Sequence, residues 1–432
     1  MKLSAQIFFI VISVFIFLFA SCSNKNDEEK TIKFWAMGAE AEYVTKLVPE
    51  FEKQNPGIKI KVQQIPWTAA QEKLVTAFAS DNTPDACQLG NTWIPQFAAL
   101  NAIIPLDEYI RTSDQINDDK YFKGIWETNV LDKKVFGIPW YVDTRVMFYR
   151  KDVFEKAGYK NPPKTWAELY DLSKKIKALY PGKEKYAIYL PTNEWAPFVI
   201  FGMEAGSSLL KDENTQGDFG GKQFNEAFKF LTGFHKQNLA PIGISQVTNV
   251  YQAFAEEYFS IYISGPWNIP EFKKWMKGNL VDKWMTAPMP GYANEYPGVS
   301  LAGGSSLVIF KDSKYKKEVW KFFEYLSQPK TQLEFYKLLN NLPANKEAWQ
   351  DSLLKNDPYM QAFYLQFMNV RATPKIPEWE QIAFSKVQQY AELAARGVMS
   401  VDDALKNLDK DVDRILEKRR WIVEEKRKEK VN

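Results

Sequence analysis

Residues 136–158 read FGIPWYVDTRVMFYRKDVFEKAG, and the fold turns on how this stretch divides. Gly137-Ile138-Pro139 reads as a stop and turn, because proline fixes its own φ and donates nothing to a strand ladder. Trp140, Tyr141, Asp143 and Arg145 then set two aromatic rings and two opposite charges within a few residues. Val146-Met147-Phe148-Tyr149 has the composition of a buried strand, and Lys151-Asp152-Val153-Phe154 opens a short helix that Gly158 closes. A chain that leaves one packed unit, presents aromatic and charged groups, and enters another is the pattern of a hinge beside a cleft. The stretch is read as the first crossing between two lobes, with a ligand between them.

Outward from it, the length agrees. A chain of 432 residues exceeds one simple core, so two lobes are expected. Aromatic residues make up 15% of it, with 14 Trp, an excess that suits stacking of flat ligands or sugar rings. The formal net charge of +3 gives no overall case for nucleic acid or acidic partners. At the start, Lys2 precedes the apolar run IFFIVISVFIFLF (7–19), too short for a comfortable membrane span, and Leu18-Phe19-Ala20-Ser21-Cys22 ends it. This reads as a lipoprotein signal over 1–21, with lipid on Cys22 and a polar tether over 22–30. Phe19 is bulky for its position, which leaves a plain secretory signal as the alternative. With Cys22 lipidated, Cys87 has no partner for an intrachain disulfide and is read as a small buried hydrophobe.

TIKFWAM (31–37) has strand composition, with a loop expected at 38–42. Val44, Leu47, Val48 and Phe51 fall at helical spacing over 43–55, ended by Asn55-Pro56-Gly57. IKIKVQQI (58–65) alternates as a second strand, and a helix over 69–80 leads to a third strand at 85–89. This order predicts an α/β lobe with a largely parallel sheet, whose ligands lie at the carboxyl ends of strands: 35–42, 66–68 and 90–93. Past the crossing, Thr165 and Glu168 have capping-box spacing. Strands are expected at 186–190 and 259–264, a helix at 224–238, and Gly265-Pro266-Trp267 turns into another helix. Residues 284–289 end at Pro290-Gly291, read as the second crossing. LAGGSSLVIF (301–310) is a strand whose paired glycines let a ligand or backbone approach. Amphipathic helices follow at 316–326, 332–339 and 400–416, and the mixed-charge tail from 417 reads as a solvated helix end.

His235 is the single histidine, so histidine-based metal or triad chemistry lacks material; it is read as a surface or half-buried helix residue. No Walker A pattern and no G-x-G-x-x-G after a strand supports nucleotide binding. Carboxylates are plentiful, so counting alone leaves a glycosidase-like pair open.

Taken in order, GIPWYVDTRVMFYRKDVFEKAG with PPKTWAEL, then YISGPW, APMPG, AGGSSLVIF, NNLPANKEAW, and ATPKIPEW with GVMSVDDAL resemble the extracellular solute-binding proteins of bacterial carbohydrate ABC importers, the maltose-binding-protein-like family. The resemblance spans nearly all of the mature chain. It implies a two-lobe α/β fold of the periplasmic-binding-protein type II class, with two to three hinge crossings. The lobes are placed at 31–140 plus 291–330 and at 141–290 plus 331–432. It further implies a sugar ligand, an ABC permease as partner, a monomer, and neither catalysis nor cofactor nor metal.

A sugar needs aromatic platforms flanked by carboxylates, amides and arginine. The expected platforms are Trp35, Trp67, Trp93, Trp195 and Trp267, with Tyr141 at the crossing. The expected polar contacts are Glu40, Asn91, Asp143, Arg145, Glu194 and Arg371, with Gly303, Gly304 and Ser305 presenting backbone N–H groups and a hydroxyl. Trp166 and Trp379 are assigned to packing. The rival ligands are a polyamine, which would call for more carboxylates, and a glycerol phosphate, which would call for several arginines or backbone nests. From other classes the rivals are a secreted glycoside-acting enzyme and a structural lipoprotein.

Overall fold

A computed structural model of the chain describes residues 29–243 and 247–431. The signal, Cys22 and most of the tether lie outside the described residues.

The first unit opens with β1 (Lys30–Met37), α1 (Gly38–Gln54), β2 (Ile58–Ile65), α2 (Trp67–Ala79) and β3 (Ala86–Gly90). β1 pairs in parallel with both β2 and β3. The helical spacing in α1 buries Val44, Leu47, Val48 and Phe51. Where a loop was expected at 38–42, Gly38 takes φ 49° and turns the strand straight into the helix. Glu40 therefore stands in the first turn of α1, near its positive dipole end.

β4 (Ile138–Asp143) corrects the reading of Gly137-Ile138-Pro139 as a stop. Pro139 lies within the strand, opposite Ser306, where the partner's register shifts by a bulge; the missing N–H falls where the ladder is already interrupted. Trp140 is not presented to a cleft either. It is 1% exposed and stacks on Phe335, ring centroids 4.6 Å apart.

Three residues later β5 (Val146–Arg150) starts a second sheet. With it come α3 (Trp166–Ala178), β6 (Ile188–Tyr189), α4 (Ala196–Glu204), α5 (Lys222–Lys236), β7 (Ile261–Ser264) and β8 (Trp284–Ala287). The strand order is β8-β5-β7-β6. The Thr165–Glu168 capping box forms at the start of α3, as the spacing predicts.

The expected second crossing at Pro290-Gly291 is displaced. Gly291 still bonds Lys164 in the second unit, and Tyr292 packs edge-on against Trp166. The chain crosses after β9 (Ser300–Leu301), from which β10 (Gly303–Ile309) enters the first sheet between β3 and β4. Next come α6 (Pro329–Leu339) and β11 (Leu342–Pro343). The placement of all of 331–432 in the second lobe fails here, because α6 packs on α1 and β11 pairs with β4. The first sheet then runs β11-β4-β10-β3-β1-β2.

α7 (Pro358–Phe367) ties the two units together: Tyr359 stacks on Trp284 at 4.1 Å, and Phe367 stacks on Phe122 at 5.0 Å. β12 (Val370–Arg371) pairs with β9, and α8 (Val401–Ile415) and α9 (Glu417–Val431) complete the chain. α9 is fastened at its start, since Arg419 and Arg420 donate to the carbonyls of Asn214 and Thr215 at 3.0 Å.

His235 is buried at 3% exposure, contrary to the surface or half-buried reading. Phe228, Leu231 and Phe234 carry the same helix into the core, so the ring has no route to water. Its Nδ1 lies 3.1 Å from the Pro241 carbonyl, which fixes the Nδ1–H tautomer as donor. Burial pushes its pKa down to about 4. An unfolded histidine titrates near 6.5, so the unfolded chain binds the extra proton first. Stability is therefore full above pH ~6.5 and falls by on the order of 3 kcal/mol as pH drops to ~4. His235→Gln should flatten the dependence of the urea midpoint on pH across that window; equal slopes in both proteins would refute the assignment.

Candidate functional site

Trp67 and Trp267 are 38% and 47% exposed. Trp67 is the first residue of α2, just past the Pro66 that ends β2. Its Nε1 donates to Glu40 Oε2 at 3.4 Å. Glu40 Oε1 accepts from the Tyr141 hydroxyl at 2.9 Å and from Asn341 Nδ2 at 3.3 Å. The Tyr141 hydroxyl in turn accepts from Ser305 Oγ at 2.9 Å and from Gln88 Nε2 at 3.0 Å. Burial, reinforced by the Glu40 charge, pushes the Tyr141 phenol well up, so it stays a donor. Trp93, at the end of the turn after β3, meets Trp67 edge to face with centroids 5.6 Å apart. Beside Trp93, Glu380 accepts from Thr92 and Trp93, and burial pushes its carboxyl up. Trp67, Trp93, Glu380 and Phe384 line an open groove of about 1020 Å³.

The second wall starts at the end of β4. Asp143 Oδ1 pairs with Arg145 Nη1 at 2.9 Å, both side chains mostly covered. Burial pushes the Asp143 carboxyl up, and the Arg145 charge pulls against that. The Arg145 guanidinium lies over the Trp267 ring, 4.6 Å from its centroid. Trp267 follows β7 through Gly265-Pro266, and a Cβ on Gly265 would sit 2.0 Å from the indole. Only glycine lets that ring fold back over its own turn. Glu194 adds a negative charge felt by both Asp143 and Tyr262, and its Oε1 accepts from the Ala196 N–H at the start of α4.

A family model described as "Bacterial extracellular solute-binding protein" matches residues 46–362, well over half of the chain. The chain belongs to this family. Among solved structures, the sugar-binding protein MalE of Xanthomonas citri is 46% identical with a TM-score of 0.88, over 91% of this chain and 99% of that one. An ABC transporter solute-binding protein from Thermotoga lettingae, bound with α-D-tagatose, is 28% identical with a TM-score of 0.73, over 90% and 100%. The diacetylchitobiose-binding protein DasA of Streptomyces coelicolor is 26% identical over 89% of this chain and 92% of its own. The two-lobe fold expected from the sequence is the fold of this solute-binding protein.

The solute-binding protein brings together some of the expected site residues and removes others. Trp67, Glu40, Tyr141 and Trp93 meet at one wall, and Asp143, Arg145, Glu194 and Trp267 at the other. Trp35 is 8% exposed in the first core, and Trp195 is 5% exposed between Trp379 and Phe384. Neither presents a face. Asn91 is buried, with its Nδ2 on the Ala302 carbonyl, and Ser305 is buried on Tyr141. Gly303 and Gly304 admit the neighbouring strand rather than a ligand, because Cβ atoms there would meet Asp143 Oδ1 at 2.2 Å and the Tyr141 carbonyl at 2.3 Å. Arg371 is exposed on β12, with its Nη1 3.5 Å from the Met203 carbonyl. Trp166 and Trp379 are core, as assigned.

Sequence reasoning missed Tyr262, Gln88, Asn341, Glu380 and Phe384. The helix expected over 332–339 does end at Leu339, and Asn340 takes the left-handed φ of 60°. The carboxylate that Asn341 reaches lies 301 positions away, beyond any local pattern. Among the described residues, no group of three or more His, Cys, Asp or Glu is placed to hold a metal ion, and no helix is long and apolar enough to cross a membrane.

Proposed function

We propose that this solute-binding protein captures a sugar, an oligosaccharide, between its lobes and hands it to the permease of an ABC importer. One observation carries the reading: two exposed indoles on different lobes are linked through one strand, β4, by polar contacts at Tyr141 and at Asp143. The link goes from Trp67 through Glu40 to Tyr141, two residues along β4 to Asp143, and through Arg145 to Trp267. A pyranose has C–H faces that stack on indoles and hydroxyl edges that suit carboxylates and a guanidinium. Trp67, Trp93 and Trp267 are the platforms in this reading, and Asp143, Arg145 and Glu194 take the hydroxyls. The sugar-binding Xanthomonas citri protein, the tagatose complex and the diacetylchitobiose receptor support it.

Charge argues against a phosphate ester. Arg145 is already paired, and Glu40, Asp143, Glu194 and Glu380 surround the site, where a phosphate calls for unpaired cations or a nest of N–H groups. The sugar adds contacts available only when both walls meet, so binding shifts the lobes toward closure. The ligand leaves unchanged, and the protein acts as a monomer, held at the membrane by lipid on Cys22. Cys22→Ala should move it from the membrane fraction to the soluble one; retention would contradict the anchor.

The test is calorimetry against mono- and oligosaccharides, glycerol 3-phosphate and spermidine, followed by chromatography of the ligand. Saturable binding of a glycan recovered intact is expected. Binding confined to glycerol phosphate or spermidine, or a cleaved glycan, would overturn the reading.

A further inference from the structure

The Tyr141 hydroxyl has one proton to donate and two lone pairs to accept with, and all three are engaged within the protein. It has nothing left for a ligand. Tyr141 is also 8% exposed, and its ring packs 5.8 Å from Trp140. Its three partners come from three places: Ser305 on β10, Gln88 on β3, and Glu40 in the first turn of α1. Gln88 is fixed in turn, because its Oε1 accepts from the Met37 N–H at 2.9 Å.

What this network holds is the edge of Trp67. The indole N–H is bound to Glu40, so the ring cannot rotate about its last torsion without giving up that bond. Glu40 is held on its other oxygen by Tyr141 and Asn341. The approach is close at the backbone too. A Cβ on Gly38 would lie 3.0 Å from Trp67 Cδ1, and the Gly38 carbonyl accepts from Gln64 at 2.7 Å.

We propose that Glu40, Tyr141 and Asn341 are positioning residues, a clamp that fixes the Trp67 ring to β4 and β10, the strands next to both crossings. Tyr141 and Glu40 then touch no ligand through their engaged atoms. They set the angle at which Trp67 offers its free face, and they make that face travel with the hinge strands. That the face receives a sugar rests on the function proposed above; the clamp itself does not.

The experiment separates the two. The protein is labelled with 5-fluorotryptophan, the Trp67 resonance is assigned from its loss in Trp67→Phe, and the exposed Trp421 on α9 serves as reference. In the sugar-free protein, Tyr141→Phe and Asn341→Ala should each move or broaden the Trp67 signal and leave Trp421 in place. Asn341 is only partly buried, so Asn341→Ala keeps the test valid if Tyr141→Phe fails to fold. Sugar affinity should fall about 3- to 10-fold in either variant, the scale of one hydrogen bond. An unmoved Trp67 signal in a folded variant overturns the clamp, even where affinity falls. A moved signal in a protein that binds no sugar supports the clamp and overturns the stacking role.

Discussion

Trp267→Ala is expected to weaken sugar binding by about 30-fold or more, the roughly 2 kcal/mol typical of a central aromatic anchor. The side chain is 47% exposed, so little folding energy depends on it and the loss falls on binding. Two things go together. The stacking face disappears, and Arg145 loses the ring it lies over, an interaction worth about 0.5–2 kcal/mol. Arg145 is still held by Asp143 at 2.9 Å, so it keeps its charge in the site but loses its angle. Trp267→Phe should fall between, because a smaller ring retains a face. Calorimetry on both variants checks this; an unchanged affinity for alanine would assign Trp267 to the surface.

Arg150→Ala should destabilise the protein by about 3–5 kcal/mol, the range for breaking a buried ion pair from one side. Arg150 ends β5 and is 1% exposed. Its five N–H donors make five bonds: two to Asp152 at 2.9 and 2.8 Å, one to Glu257 at 3.0 Å, and one each to the Phe254 and Ala255 carbonyls at 3.0 Å. Those carbonyls lie at the C-terminal end of the short helix Val250–Ala255, where the Glu257 N–H also reaches the Phe254 carbonyl at 3.2 Å. Burial raises the Asp152 and Glu257 carboxyls, but hydrogen bonds and positive charge outweigh it and hold both below their usual range. Removing the guanidinium takes the buried counter-charge from Asp152 and Glu257 and a donor from each of the two carbonyls, with Lys156 (3.6 Å) and Tyr180 (2.7 Å) still on Glu257. Arg150→Lys restores the charge without the planar fork and should recover less than half of the loss. Urea denaturation measures both; a loss under 1 kcal/mol would mean that water replaces the fork.

Most of the fold was legible, because period and punctuation fix local structure. IKIKVQQI alternates with period two and is β2, and the Thr165–Glu168 box starts α3. The failures share one cause, tertiary context overriding a local rule. Pro139 reads as a stop until its pairing with β10 skips Trp140 and interrupts the ladder beside it. The helix and strand after 329 read as part of the second lobe until α6 and β11 return to the first sheet. The candidate site was legible where a residue follows a strand through a turn, as Trp67, Trp93 and Trp267 do. It was illegible where chemistry depends on burial. Asn91 and Ser305 have the right groups for a sugar, but the sheet has already used them. His235 has the spacing of a half-exposed helix position, yet the Pro241 carbonyl and the core enclose it.

In the proposed mechanism one sugar spans both walls. Intrinsic tryptophan fluorescence of the mature protein, titrated with the glycan that calorimetry selects, tests it most directly when run in parallel on Trp67→Phe and Trp267→Phe. Each variant should lose part of the signal change, and within each protein a single saturation curve should fit all wavelengths. A change that survives whole in either variant would place the ligand on one wall alone and rule out a bridging sugar.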